Sequence, residues 1–201
     1  MNRPFLNIDS NYVQGYYNKI KNISKDLVIE DFSKIETYKV PIKYGYGDWT
    51  FKVIKSPSFG ICLNSFFNYD FKELVFDNNI LLISINTFGP RSIIKKHKDP
   101  AYFGKNTFRI FVPLKSKDSY ITANFGTIKC KERQPYILDF IYEPHSGINK
   151  SYDEEFVIIA FDILYEYCQD YEGEYSYTGN KDNDILFDKV VNVNMQAYEK
   201  I

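Results

Sequence analysis

The sequence predicts a mainly β domain of the jelly-roll type, and three observations lead to this prediction. Seven short apolar segments follow one another closely between residues 79 and 164. Clusters of Gly, Pro, Asn and Asp separate them, which is typical of antiparallel sheets and not of alternating strands and helices. A further extended segment near Trp49 brings the count to eight, the number of strands in a double-sheet jelly roll.

Residues 1–78 are predicted to form a mixed, largely helical support for this core. Apolar residues recur every three or four positions in residues 10–24, which predicts a helix with one apolar face. Asp9 or Ser10 can cap the start of this helix. A second short helix is predicted to begin near Asp70. Two segments between the helices are predicted to be extended: residues 37–42 and 49–54.

The jelly-roll core itself is predicted to occupy residues 79–164. Its strands are predicted at residues 80–87, 92–96, 107–114, 120–124, 127–131, 136–142 and 155–164. The last segment, 165–201, is polar and rich in tyrosine and acidic residues, which indicates a peripheral extension. Because no repeat or linker separates these parts, residues 1–201 are predicted to be a single domain, long enough for one full hydrophobic core.

Composition and charge exclude several functional classes. The formal net charge is −1, with acidic and basic residues interspersed, so no nucleic-acid partner is expected. The N-terminal residues lack the apolar run of a signal peptide, and the longest apolar stretches are too short to span a bilayer. We therefore expect a soluble, cytoplasmic protein without a membrane partner. The three cysteines, Cys62, Cys130 and Cys168, form no C-x-x-C pair, which predicts buried free thiols.

The chain has two histidines, and the first begins an H-x-D motif formed by His97 and Asp99. Side chains at i and i+2 of an extended segment point the same way, and Pro100 favours an extended backbone at Asp99. His145 is predicted to lie in a loop just after the strand over residues 136–142. In a jelly roll this strand end can return beside His97, so the three side chains are predicted to meet in the mouth of the barrel.

Two histidines and one carboxylate are the ligand set of a mononuclear non-haem iron site. They fill one face of an octahedral metal and leave the opposite face open for substrates. His97, Asp99 and His145 are therefore predicted to bind Fe(II), and the protein is predicted to be an oxygenase. The alternative is that His97 is a surface residue of the charged run 95–99 and that His145 is a turn residue.

Residues 81–162 resemble the aspartyl/asparaginyl β-hydroxylase and proline-hydroxylase branch of the iron(II), 2-oxoglutarate-dependent oxygenases. The closest match is the run HSGINKS, which begins at His145. Four further pieces match: FGPRSI at 88–93, RIFVPL at 109–114, LDF at 138–140 and AFD at 160–162. The combination of these pieces is more specific than any one of them.

This resemblance implies a double-stranded β-helix, the cupin-like form of the jelly roll, in which His97, Asp99 and His145 hold iron. It also implies 2-oxoglutarate and molecular oxygen as co-substrates. The implied reaction is hydroxylation of an amino acid, a peptide side chain or a related small molecule. Because Asp99 is present, the chain is closer to the proline-hydroxylase pattern and is not expected to be a halogenase, which lacks this carboxylate.

The chain departs from the family where 2-oxoglutarate would be held. The family places an arginine about ten residues after the second histidine, but Glu155 and Phe156 stand there in this chain. Arg109 is the first candidate for a substitute cation, because the family already has an arginine at this position, and Ser84 could add a hydrogen bond. The family pairs this arginine with a histidine two residues later, but Phe111 stands at that position in this chain. Two weaker candidates are Arg91 and Lys150.

Two other functions are also compatible with the sequence. The missing arginine favours a cupin-like metalloenzyme that does not use 2-oxoglutarate, such as an oxidase, an isomerase or a zinc hydrolase. The high aromatic content, 18% of the residues, would also permit a non-catalytic binding module on a jelly roll.

Overall fold

The computed structural model describes residues 10–39, 45–57, 60–61, 68–97, 99, 107–123, 126–138, 140 and 144–164. Several predictions fall outside these residues: the cap at Asp9, the thiols of Cys62 and Cys168, and the extension 165–201. Cys130 is a buried free thiol, as predicted. None of the helices in the described ranges combines the length and the apolar character needed to cross a membrane.

Two α-helices and a 3-10 helix form the supporting layer. They are α1 (Ser10–Ser24), the 3-10 helix Ile29–Phe32 and α2 (Tyr69–Phe76). α2 begins one residue before the predicted position because the side-chain oxygen of Asn68 accepts a hydrogen bond from the Phe71 amide at 2.8 Å, which caps the helix. The bounds of α1 confirm the predicted helix over residues 10–24.

Eight strands make up the core of the fold in the described residues, and β3 and several two-residue strands precede them. The first group is β1 (Tyr38–Lys39), β2 (Gly45–Tyr46), β3 (Trp49–Ser56) and β4 (Gly60–Ile61). The core strands are β5 (Ile80–Phe88), β6 (Ile93–His97), β7 (Thr107–Lys115), β8 (Ser119–Ala123), β9 (Gly126–Lys129), β10 (Tyr136–Leu138), β11 (His145–Asn149) and β12 (Phe156–Leu164).

The core strands are divided between two antiparallel sheets. The larger sheet has the order β1-β3-β5-β12-β7-β10, with β4 paired to β3, and the smaller sheet has the order β2-β6-β11-β8-β9. Strands β5 to β12 thus contribute β5, β12, β7 and β10 to one sheet and β6, β11, β8 and β9 to the other. This is the strand order of a double-stranded β-helix, and it confirms the predicted mainly β jelly-roll fold.

The central strands of the larger sheet, β5, β12 and β7, are largely buried on both faces because the helices cover one side and the smaller sheet covers the other. Toward the helices, alternate residues such as Ile83, Val112 and Ile159 pack with α1 and α2. Toward the smaller sheet, the intervening residues, including Phe111 and Ile158, pack between the two sheets. Full burial of an aliphatic or aromatic side chain stabilises the fold by roughly 1.5–3 kcal/mol. The space between the sheets also contains the polar groups described in the next section.

The segment beginning at His145 was predicted to be a loop, and this prediction is wrong. Residues His145–Asn149 form β11, which pairs with β6 on one side and β8 on the other. Local propensity favours a turn here, but two neighbouring strands supply hydrogen-bond partners for the backbone. A Cβ at Gly147 would lie 3.3 Å from Ile94 and from Ile121, so glycine lets these side chains close over the strand.

The eight strands of the jelly roll are therefore not the eight that the sequence predicts. β11 is one of them, whereas β3, the strand near Trp49, extends the larger sheet beside β5. This also shows that part of residues 1–78 belongs to the sheet and does not only support it. The strand predicted over residues 136–142 is observed as Tyr136–Leu138, and residues 139 and 141–143 lie outside the described residues.

Candidate metal centre

The sheet register brings the two histidines together. His97 is the last residue of β6 and His145 is the first residue of β11, and these two residues are direct partners in the antiparallel pair. Their ring centroids are 4.3 Å apart, with an angle of 50° between the rings. Both residues are buried. The pairing of two strands from the smaller sheet thus positions two imidazoles at one end of the barrel.

Asp99 completes the cluster from the segment that follows β6. Its backbone amide donates to the carbonyl of Phe140 at 2.9 Å, which holds the chain across the barrel mouth. One carboxylate oxygen, Oδ1, lies 3.1 Å from His97 Nε2 and 3.9 Å from His145 Nε2. Each of the three residues offers a ligand atom, and these atoms all lie within 4.8 Å of one another.

The hydrogen bond of His97 indicates which of its ring nitrogens has a lone pair directed at the cluster. His97 Nδ1 lies 2.7 Å from the carbonyl oxygen of Lys95, and because a carbonyl only accepts, Nδ1 carries a proton. In the neutral ring Nε2 then presents its lone pair to the Asp99 carboxylate at 3.1 Å. A proton on Nε2, or a cation bound by both atoms, would remove the repulsion between these two lone pairs. A donor set of two imidazole nitrogens and one carboxylate oxygen fits a divalent metal.

Arg109 connects this cluster to a second buried carboxylate, Asp162. Its Nη1 donates to Asp99 Oδ2 at 2.9 Å, while Nε and Nη2 donate to the two oxygens of Asp162 at 2.6 and 3.0 Å. Asp162 on β12 is the register partner of Arg109 on β7. The guanidinium also lies over the ring of Phe140, with Cζ 4.0 Å from the ring centroid.

The two carboxylates respond differently to this environment. Burial raises the pKa of Asp99, but the charge of Arg109 and the contacts with both histidines outweigh burial, and the pKa lies below its ordinary value. For Asp162, burial dominates and its pKa lies above the ordinary value, although Arg109 opposes this shift. Asp99 is therefore the carboxylate that stays ionised most readily, as a metal ligand must.

The predicted co-substrate residues lie in different parts of the barrel. Arg109 reaches the His97-Asp99-His145 cluster through Asp99, and its role toward 2-oxoglutarate stays a prediction. Ser84 is buried on the inner face of β5, opposite Ala160, and its hydroxyl accepts a hydrogen bond from Asn86 at 3.2 Å. Like Arg109, it faces the space between the sheets, but no contact joins it to the His97-Asp99-His145 cluster in the described residues.

The weaker candidates, Arg91 and Lys150, lie at the far ends of β6 and β11 from the histidines. Arg91 stacks on the exposed Tyr152, with Cζ 4.4 Å from the ring centroid. Lys150 lies over the ring of Tyr120, with Nζ 4.7 Å from the centroid. The structure therefore does not bring these two cations to the cluster.

The end of the barrel away from the cluster is filled by aromatic side chains. Phe156, at the position where the family has its arginine, is buried and packs on Phe88 with ring centroids 5.6 Å apart. Trp49 packs on the same Phe88 at 5.6 Å. The neighbouring Glu155 is exposed. Position 156 is therefore occupied by a buried ring that packs on another ring.

Sequence reasoning missed two polar residues of the site region. Asp162 interrupts the apolar strand FVIIAFDIL, and an acid on the inner face of a buried strand is a usable signal. Thr107, the first residue of β7, is on the same face of that strand as Arg109. Its hydroxyl is buried and has no hydrogen-bond partner among the described residues. Nothing in the sequence distinguishes it from an ordinary strand threonine.

Neither a family model nor a curated protein matches the sequence. Among solved structures, the chain is similar to a predicted oxalate decarboxylase from Thermotoga maritima, at 19% identity over 69% of this chain and 100% of that one, with a TM-score of 0.48. A cupin-like protein from the same organism has 15% identity over 62% and 75% of the two chains, with a TM-score of 0.43. KdgF from Halomonas sp. has 10% identity over 57% and 80%, with a TM-score of 0.37.

The classification of the fold comes from the order of the strands in the two sheets. By that order, the chain is a cupin-like, double-stranded β-helix protein with a buried His97-Asp99-His145 cluster at one end of its barrel.

Proposed function

We propose that this protein is a mononuclear metalloenzyme that acts on a small molecule at a divalent metal held by His97, Asp99 and His145. The observation that carries the proposal is the convergence of three buried donor groups within 4.8 Å of one another. Two nitrogens and one oxygen on one side of an ion leave the other side open, which is typical of catalytic and not of structural metal sites. Iron(II) is the metal that this donor set supports best.

The residues around the metal would each have a distinct task. His97 presents Nε2 because its Nδ1 is held by the Lys95 carbonyl, and Asp99 presents Oδ1 because Oδ2 is held by Arg109. Phe140 and Arg109 cover one side of the carboxylate and limit the access of water. When bound, iron(II) would supply oxygen activation and a Lewis-acidic centre for the substrate.

We propose that the enzyme does not require 2-oxoglutarate. Two observations support this. Three donor atoms of Arg109 are directed at the protein carboxylates Asp99 and Asp162. Phe88 and Phe156 pack together where the distal carboxylate of the co-substrate would need a cation, and burying an unpaired carboxylate costs several kcal/mol.

The second candidate function is an iron(II), 2-oxoglutarate-dependent hydroxylase acting on an amino acid, a peptide side chain or a related small molecule. The observation in its favour is that a guanidinium, Arg109, already reaches the metal cluster, with Ser84 on the same inner surface of the sheet. Arg109 would have to exchange its bond to Asp99 for one to the co-substrate. Molecular oxygen would be needed in this case as well.

The metal-binding proposal is tested by anaerobic calorimetric titration of the purified chain with Fe(II) or Mn(II). We expect one metal per chain for the wild type and no measurable binding for His97→Ala and His145→Ala. Circular dichroism should show that both variants keep the wild-type content of strands. Equal affinity in the wild type and both variants would contradict the proposal.

The choice between the two candidates is tested with iron and 2-oxoglutarate together. If our proposal is correct, the iron-loaded protein forms no succinate above the rate of iron in buffer, and 2-oxoglutarate causes no visible charge-transfer band under anaerobic conditions. Succinate formation that depends on His97 would replace the first candidate with the hydroxylase. A tenfold or greater rise in the apparent 2-oxoglutarate constant in Arg109→Ala would then assign Arg109 to the co-substrate.

A further inference from the structure

Asp99 is the one protein donor of the cluster that does not lie in a strand of the described structure. His97 and His145 are fixed by the pairing of β6 with β11. Asp99 follows β6, and its backbone is held by one hydrogen bond to Phe140. The backbone therefore does not fix the orientation of the Asp99 carboxylate. A separate contact must determine whether one or both of its oxygens would bind a metal.

Arg109 supplies this contact from the opposite sheet. Its Nη1 donates a hydrogen bond to Asp99 Oδ2 at 2.9 Å, so that Oδ1 alone faces the two imidazoles. The guanidinium is itself held by two hydrogen bonds to Asp162, which is completely buried on β12. A planar guanidinium bound at two points has little freedom to turn, and this rigidity is passed to Asp99.

Asp162 also compensates the positive charge of Arg109. A guanidinium bonded directly to a metal ligand would repel a divalent cation. Asp162 neutralises that charge, so that Asp99, Arg109 and Asp162 together carry one negative charge when both carboxylates are ionised. The cation then meets the charge of Asp99 without an opposing positive charge.

We infer that the Arg109–Asp162 pair is a positioning device for the metal site: it holds Asp99 as a one-oxygen ligand and keeps the net charge of the site negative. This inference rests on the proposed metal site. It makes Arg109 a positioning residue and Asp162 a second one that acts through Arg109. Groups that hold metal ligands in place typically change metal affinity by 10–100-fold when they are removed.

The test is a double-mutant cycle on Mn(II) affinity, measured anaerobically on the full chain by calorimetry and by the electron paramagnetic resonance of bound Mn(II). The variants are Asp162→Asn, Arg109→Met and both together. We expect Asp162→Asn to weaken Mn(II) binding by tenfold or more, because the remaining Asp99–Arg109 pair then offers the cation no net negative charge. In the Arg109→Met background the same change should have less than a twofold effect, since Asp162 acts through Arg109.

Two further variants guard against trivial explanations. Asp153→Asn removes an equal charge from an exposed ion pair with Lys117 and should leave Mn(II) affinity unchanged. If a single variant does not fold, the combination Arg109→Met with Asp162→Leu replaces the buried pair by apolar groups, an exchange that proteins often tolerate. It should fold and bind Mn(II) at least tenfold more weakly than the wild type.

The outcomes separate this inference from the proposed function. Unchanged Mn(II) affinity in folded Arg109 and Asp162 variants, with binding by the wild type, overturns the positioning role alone. Equal effects of Asp162→Asn in both backgrounds also overturn it, because Asp162 would then act independently of Arg109. A wild type that binds no Mn(II) or Fe(II) contradicts the proposed function, and the positioning role with it.

Discussion

At the scale of single residues, the site depends on how each polar group is paired. Asp99 and Asp162 share one arginine, and both carboxylates are buried. His97 has one ring nitrogen held by a carbonyl and the other directed at a carboxylate. These pairings leave ligand atoms directed toward one point. The contrasting case is Thr107, whose buried hydroxyl has no partner among the described residues.

We predict that Thr107→Val stabilises the protein by about 1 kcal/mol, because a buried polar group without a hydrogen bond costs about 1–3 kcal/mol and valine has nearly the same shape. The measurement is the free energy of unfolding in urea of the metal-free protein. The matched control is Thr127→Val, since Thr127 is exposed and its hydroxyl is bonded to Thr122. A loss of stability in Thr107→Val would show that the hydroxyl has a partner in solution.

At the scale of elements, β11 links the proposed metal site to the rest of the fold. Its first residue, His145, is at the site, and its last residue, Asn149, is buried at the far end. The Asn149 side chain donates to the carbonyls of Phe88, Gly89 and Glu154 and accepts from the Ser151 amide. This one amide therefore ties together the end of β5, the end of β11 and the approach to β12.

We predict that Asn149→Ala lowers the free energy of unfolding by about 3 kcal/mol, since the two N–H groups and the oxygen of this buried amide lose their hydrogen bonds, at about 1 kcal/mol for each group. Metal affinity of the folded fraction should stay within twofold, because His145 lies at the other end of the strand. Asn18→Ala on the exposed side of α1 serves as the control and should change stability by less than about 0.5 kcal/mol. An effect on metal affinity without an effect on stability would contradict this division of roles.

At the scale of the whole molecule, packing on both faces of the larger sheet buries side chains that lose a proton at alkaline pH. Two of them are Cys130 and Tyr16. Burial raises the pKa of the Cys130 thiol to about 12. Burial also raises the pKa of Tyr16, whose hydroxyl donates to Asp77 at 2.8 Å. In the unfolded chain both groups lose their protons at lower pH. Their contribution to stability is therefore complete below the unfolded-state pKa values and is lost as the pH rises toward the folded-state values.

We predict that the free energy of unfolding falls between about pH 9 and pH 12, with about 1.4 kcal/mol per pH unit for each group whose proton is released only on unfolding. Cys130→Ala should remove one proton from those released on unfolding. The fall of the unfolding free energy with pH should therefore be less steep by about 1.4 kcal/mol per pH unit between about pH 9.5 and pH 11. Urea unfolding at several pH values under reducing conditions provides the measurement. An unchanged slope in the variant would show that Cys130 titrates normally in the folded protein.

The sequence by itself determined the features that depend on local periodicity and spacing. The apolar repeat of α1 and the closely spaced strands predicted the helix and the jelly-roll class, and the structure agrees with both. The H-x-D motif and the single later histidine pointed to the three residues that the structure brings together. These signals are readable because the side-chain pattern of a helix or strand, and the reach of two side chains at i and i+2, are properties of a short segment.

Only the tertiary structure decided which segments pair and which polar groups meet. The turn-forming residues of β11 predict a loop, but the segment is a strand because β6 and β8 lie on either side of it and pair with its backbone. Arg109 and Asp162 are 53 residues apart in the chain, and only the pairing of β7 with β12 makes them partners. The physical reason is that a buried charge requires a counter-charge, and a strand requires neighbours for its backbone hydrogen bonds, wherever in the chain they lie.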